Sequence, residues 1–146
     1  MGANSTLYDR DFYAWSREQA ALLRDGRVSE ADLVNIAEEI ESMGRSEKRE
    51  LVSRMVVLLL HLIKWRFQPN PRSRSWQSSI NEQRVEVIDL LADNPSLRPM
   101  LTDVLAQAWR RARLGAMRET GLDASTFPKD CLWTAEQALD DAFWPD

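Results

Sequence analysis

The stretch from Ser46 to Gln68 reads as a helix whose middle is apolar on nearly every side, with only Ser53, Arg54 and His61 interrupting the run from Leu51 to Ile63. A helix without a polar face is ordinarily buried all round. The pattern therefore predicts a central buried helix over about 47–67, with the other segments wrapped around it. Upstream, Phe12, Trp15, Gln19, Leu22 and Leu23 fall near one helical face, which predicts a helix over 11–25 with Asp9 or Asp11 as N-cap and Gly26 as stop. Ser29 is placed to cap a second helix with the stripe Leu33, Ile36, Ala37, Ile40, Met43, and Gly44 to end it. So short a connection at Gly44–Ser46 predicts an antiparallel hairpin between this helix and the central one.

Downstream, Pro69 and Pro71 close the central helix, because proline cannot continue the hydrogen-bonded ladder. Trp76, Ile80, Val87, Leu90 and Leu91 outline a helix over about 76–92. Leu101, Leu105, Ala108, Ala112, Gly115 and Ala116 outline another over about 97–120, with small residues suited to close packing and Gly121 at its end. Thr134 to Gln137 has capping-box spacing and opens a short last helix. No repeat, low-complexity stretch or linker divides the chain. The expectation is one all-α domain over 1–146, a bundle of five main helices plus a short C-terminal one.

Composition adds bounds. The 146 residues suffice for a real core, and 44% hydrophobic with 29% charged residues suits a globular chain. The longest apolar run, Met55–Leu60, is far too short to span a bilayer, and the first residues lack a basic-then-apolar leader. Gly2 with Thr6 fits a myristoylation pattern only loosely. A cytoplasmic protein without membrane contact is expected. Cys131 is the single cysteine, so an internal disulfide or multi-cysteine metal site is excluded. Net charge is −4, arranged as −5 over 1–44, +7 over 45–118 and −6 over 119–146. Sixteen of the nineteen basic residues are arginine, which pairs carboxylates in bidentate fashion. Internal pairing of the three segments is the simpler reading, with an external polyanion as the alternative.

Several blocks resemble a known family: Tyr8-Asp9-x-Asp11-Phe12-Tyr13-Ala14-Trp15, the long Asn35–Leu51 block, His61-Leu62-Ile63-Lys64-Trp65, Arg72-Ser73-x-Ser75-Trp76, and Phe143-Trp144-Pro145. Together they are similar to the bacterial family known as domain of unknown function 29, over almost the whole chain. The resemblance implies a compact α-helical fold and carries no activity or catalytic residue with it.

His61 is the one histidine and the obvious chemical candidate. In the expected hairpin, residues equidistant from Arg45 lie level. Glu39 then faces Leu51, about 15 Å along the axis from His61 at 1.5 Å per residue, and cannot reach it. Asp32 lies level with Leu58, one turn from His61, and in the next hairpin Arg84 is level with Leu58 too. A buried polar network of Asp32, His61 and Arg84 with Gln83 follows, and Glu39 with Arg54 makes a further pair. A buried guanidinium calls for a carboxylate. An Asp32–His61 contact would make His61, Asp32 and Arg84 candidates for hydrolytic or metal-assisted chemistry; the simpler reading is a satisfied structural histidine. Lys64, Trp65, Arg66, Arg72, Arg74 and Trp76 interleave cations with rings, as a nucleic-acid surface does. The plain alternative is that the rings plug one end of the bundle. No zinc spacing, phosphate loop or nucleophile elbow is present, and no cofactor is implied. The favoured function is a non-enzymatic helical protein acting by protein–protein contact, with an unidentified partner or as a homodimer.

Overall fold

A computed structural model describes residues 3–68 and 72–146, with side chains from residue 7 onward at the start. The expected stop for the central helix at Pro69 and Pro71 lies outside the described residues. The fold is an all-α bundle, and no strand occurs among the described residues. Its helices are α1 (Ala3–Arg10), α2 (Phe12–Arg24), α3 (Leu33–Phe67), α4 (Arg74–Asp93), α5 (Leu101–Thr120) and α6 (Ala135–Leu139), with 3₁₀ turns at Val28–Glu30, Pro95–Met100 and Ala124–Thr126.

Most boundaries follow the expected punctuation. The Asp11 side chain accepts from the Ala14 amide to start α2, and Ser73 does the same for α4 through the Trp76 amide. Gly26 and Gly121 adopt positive φ, 75° and 72°, the left-handed conformation that glycine takes without a Cβ penalty. The Thr134–Gln137 capping box is complete. Helix α1 has no counterpart in the hydrophobic pattern, since Ala3–Arg10 shows no apolar stripe.

One expectation is overturned. The hairpin at Gly44–Ser46 does not form; α3 is a single helix of 35 residues running through both. Glycine inside a helix costs only about 1 kcal/mol relative to alanine, too little to break a ladder on its own. Gly44 has no positive φ, so it forms no left-handed cap. The start also shifts from Ser29 to Asp32, whose carboxylate accepts from the Asn35 amide at 3.4 Å while its carbonyl accepts from Ile36 at 2.9 Å.

The chain divides into two compact units, Met1–Glu47 and Lys48–Asp146. In the first, Tyr8, Phe12 and Trp15 form a cluster with ring centroids 4.7–5.8 Å apart. Polar bonds tie α1 and α2 to the start of α3: Trp15 Nε1 donates to Asp32 (3.1 Å), the Asp32 amide to Gln19 (2.7 Å), and the Tyr8 hydroxyl to Glu39. Trp15 and Gln19 are buried.

The second unit holds the large core. Leu51, Met55, Leu58, Leu59, Leu62 and Ile63 of α3 are fully buried with Ile80 and Val87 of α4 and Val104, Ala108, Ala112 and Ala116 of α5. Each fully buried aliphatic side chain of leucine size contributes about 1.5–3 kcal/mol. The small residues of α5 permit close approach: a Cβ on Gly115 would stand 3.4 Å from Leu60 Cδ1. Phe127, Trp109, Trp133 and Phe143 seal the segment after α5 in edge-to-face contacts.

Candidate functional site

The polar side chains grouped into one network by the hairpin register take other partners, because the register itself is lost. Asp32 precedes the first turn of α3, whereas His61 lies in its last two turns. Asp32 is held by Trp15 and by Asn35, whose amide nitrogen sits 2.8 Å away. Partial burial raises its pKa, but the bonds from Asn35 and Trp15 outweigh this and leave it below the ordinary value. Glu39 accepts from Tyr8, and this bond with the nearby carboxylates pushes the phenol up to about 12. Arg54 stands 3.7 Å from Glu50 and 3.9 Å from Glu86, not on Glu39.

His61 is half-buried, and its Nδ1 lies 2.8 Å from the Val57 carbonyl one turn back. A carbonyl only accepts, so Nδ1 carries the hydrogen. This bond fixes the ring to its own helix.

Arg84 is fully buried, as its place on the inner stripe of α4 implies, but its partners are carbonyls. Nε donates to Ala138 (2.8 Å) and Nη2 to Phe143 (2.6 Å), and the guanidinium lies 5.2 Å from the Trp144 ring centre. Burial draws its pKa below the usual arginine range, opposed by Asp141 and Asp140. Nη1 of Arg84 and Oε1 of the neighbouring Gln83 have no hydrogen-bond partner among the described residues. The group is thus a clamp on α6 and the segment after it.

In the basic–aromatic stretch each ring is paired with a cation of the same chain. Lys64 binds Glu119 at 2.9 Å and stands 4.8 Å from the Trp76 ring centre. Arg72 donates to the Trp65 carbonyl and covers the Trp65 ring at 4.8 Å, while Trp144 lies 4.7 Å from the same ring. Arg66 sits over Phe67, and Arg74 is exposed.

A further concavity lies elsewhere. An open groove of about 1050 Å³ runs along α5 from Leu101 to Leu114, with Arg98 of the preceding 3₁₀ turn at one end and residues 129–136 as its other wall. Leu101, Leu105, Trp109, Leu114, Cys131, Trp133 and Ala135 make an apolar lining, and Arg98, Arg110, Arg113 and Lys129 add four cations against Asp130 and Glu136. Arg113 is committed, donating to the carbonyls of Phe127 (3.0 Å) and Ala124 (2.9 Å). The side chains of Arg98, Arg110 and Lys129 are exposed and make no hydrogen bond or ion pair among the described residues. Trp109 is anchored by its bond to the Pro128 carbonyl at 3.1 Å. The Cys131 thiol donates to the Trp133 carbonyl at 3.2 Å, and burial raises its pKa, so it lines the groove as a protonated, weakly polar group.

No local sequence pattern marks this groove. Arg98, Arg110 and Lys129 come from three separate elements, and nothing in their spacing announces a shared rim. The readable signal was the pattern of α5, where Arg110 and Arg113 flank the tryptophan of an otherwise small-residue face.

Among the described residues no group of three or more histidine, cysteine or acidic side chains is placed to hold a metal ion, and no helix is long and apolar enough to cross a membrane. The family model described as "Domain of unknown function DUF29" matches residues 7–144. No curated protein and no solved structure matches the chain.

Proposed function

We propose that this chain, which belongs to the DUF29 family of domains of unknown function, is a non-enzymatic docking protein that receives an acidic amphipathic helix in the groove along α5. The observation carrying this reading is the pairing of an apolar lining with three rim cations, Arg98, Arg110 and Lys129, that have no hydrogen-bond or ion-pair partner among the described residues. Grooves of this kind take a helix by burying residues spaced i, i+3, i+4 and i+7 from its apolar face. The α5 wall of the groove, from Leu101 to Leu114, is about 20 Å long at 1.5 Å per residue, between three and four helical turns. Arg98, Arg110 and Lys129 select an occupant whose polar flank is acidic, and long-range attraction speeds its arrival. Lone Cys131 and carbonyl-bound His61 have no chemical step in this reading.

Fluorescence anisotropy with a labelled acidic amphipathic model helix tests it. Binding is expected at low ionic strength, weakening as salt screens the rim, and lost in the exposed triple reversal R98E/R110E/K129E. Absence of binding at low salt, or equal binding by the reversed variant, would overturn the reading.

A further inference from the structure

The two walls of the groove are built differently. Helix α5 has 20 residues and buries Val104, Ala108, Trp109 and Ala112 in the core. The facing wall, residues 129–136, is irregular chain that runs into α6, a helix of 5 residues. So short a helix has little stability of its own, and its place is set by what holds its ends. Before it, Arg113 donates to the carbonyls of Ala124 and Phe127, and Trp109 to that of Pro128. After it, Arg84 of α4 donates to the carbonyls of Ala138 and Phe143, with the Trp144 ring against the guanidinium. Between these anchors the hydrogen bonds of residues 129–136 among the described residues are local, Cys131 to Trp133 and Thr134 with Gln137 and Ala138. The wall is a span tied at 124–128 and again at 138–143.

The two ties are unequal. Arg113 is part-exposed, so its remaining N–H groups can be hydrated. Arg84 is fully buried, and its Nη1 has no partner. Release of residues 138–143 would return this guanidinium to water, where all five N–H groups are satisfied. The gain from its two carbonyl bonds is therefore partly offset, and this is the end that lets go.

We infer that residues 129–143 form a hinged wall, pivoting at 124–128 and latched by Arg84, and that this latch regulates docking in the groove. The inference rests on the docking role given to the groove above. Cys131, Trp133 and Ala135 line the groove only while the latch is closed. An occupant thus binds the latched form, and its apparent affinity scales with the latched fraction. By linkage, the occupant in turn holds the latch closed. Arg84 lies outside the groove lining and acts as a positioning residue.

The test reads the latch in the full chain, with and without the model acidic helix. Hydrogen exchange at the amides of Ala138, Asp140 and Phe143, which bond within the segment, follows the latch. Exchange at residues 108–116 of α5 follows the core. In the wild type the latch amides should open more readily than those of α5, and a saturating model helix should slow them although they lie outside the groove lining. Arg84→Met fills the buried space with an apolar chain but leaves the Ala138 and Phe143 carbonyls without their donor. It should speed exchange at 138–143, and alkylation of Cys131 by iodoacetamide in the absence of helix, by about tenfold or more. Helix binding should weaken by a similar factor, with exchange in α5 unchanged. Latch amides that open together with α5 in the wild type would overturn the inference, and this comparison decides the matter if Arg84→Met does not fold. So would a folded Arg84→Met that accelerates α5 as much as the wall, or leaves the wall and Cys131 as they were. A model helix that binds the wild type without slowing exchange at 138–143 sinks the latch and leaves the docking role standing. A model helix that does not bind at all sinks the docking role, and the regulation built on it.

Discussion

Trp15 and Trp109 are both buried indoles that donate to oxygen at 3.1 Å, yet they serve different kinds of structure. Trp109 lies within a wide apolar core, with aliphatic side chains from three helices and the Trp133 ring around it. Trp15 packs against the Tyr8 and Phe12 rings, and polar bonds of Asp32, Gln19, Asn35 and Glu39 hold its surroundings. The residues from Lys48 onward are stabilised chiefly by burial, which is large and insensitive to pH. Those before it depend on a handful of directional bonds, each worth little net because water competes for the same groups. The difference teaches where spare binding capacity arises. A region that satisfies its interior with polar bonds leaves its apolar side chains outside.

The largest expected effect tests the core. Trp109→Ala removes a bulky side chain that is almost wholly enclosed and should destabilise by about 3–5 kcal/mol in denaturant unfolding. A loss under 1 kcal/mol would mean that the core is not close-packed there. On the polar side, Asp32→Ala deletes the acceptor for Trp15 and the start of α3. It should cost about 1–2 kcal/mol and appear as faster amide exchange at residues 33–37, while exchange in α5 is unchanged.

Gly44→Ala sharpens the comparison through backbone alone. Nothing lies within 4 Å of a Cβ at this position, and the backbone is helical there. Alanine should stabilise by up to about 1 kcal/mol. A left-handed turn at Gly44 would instead make the same substitution destabilising. The smallest effect is a titration. In a Tyr13→Phe background, the 295 nm absorbance of Tyr8 should rise with a midpoint near 12, and Glu39→Gln should lower that midpoint. Because the folded value lies above that of a free phenol, the Tyr8–Glu39 bond contributes fully below about pH 10 and is lost as pH rises through about 12.

The helices were legible in the chain wherever a local chemical signal marked them. Asp11, Ser73 and Thr134 cap, Gly26 and Gly121 stop, and the apolar spacing in between is helical. Gly44-Arg45-Ser46 carried the same signals and misled, because a stop signal for an isolated helix is weaker than the continuous ladder on both sides of it. That one boundary decided the site. Because α3 is one continuous helix, the hairpin register does not apply, and Asp32, His61, Arg84, Glu39 and Arg54 take the separate partners described above. The burial of Arg84 was readable from Ile80 and Val87 on the same stripe. Its partners were not, because backbone carbonyls have no signature in the side-chain sequence. The α5 groove depends on where residues 129–136 cross the helix, and an irregular segment offers no periodicity from which to place it.

The Arg84 clamp also bears on the order in which the chain becomes structured during synthesis. Its two carbonyl partners lie 54 and 59 residues further along. While those residues are still inside the ribosome, the guanidinium has no acceptor to replace water, and enclosing it would leave a bare charge in the core. Helix α4 therefore has to keep this side chain hydrated until residues 138–143 emerge. Enclosure of the Arg84 guanidinium and seating of residues 138–143 are thereby a single event.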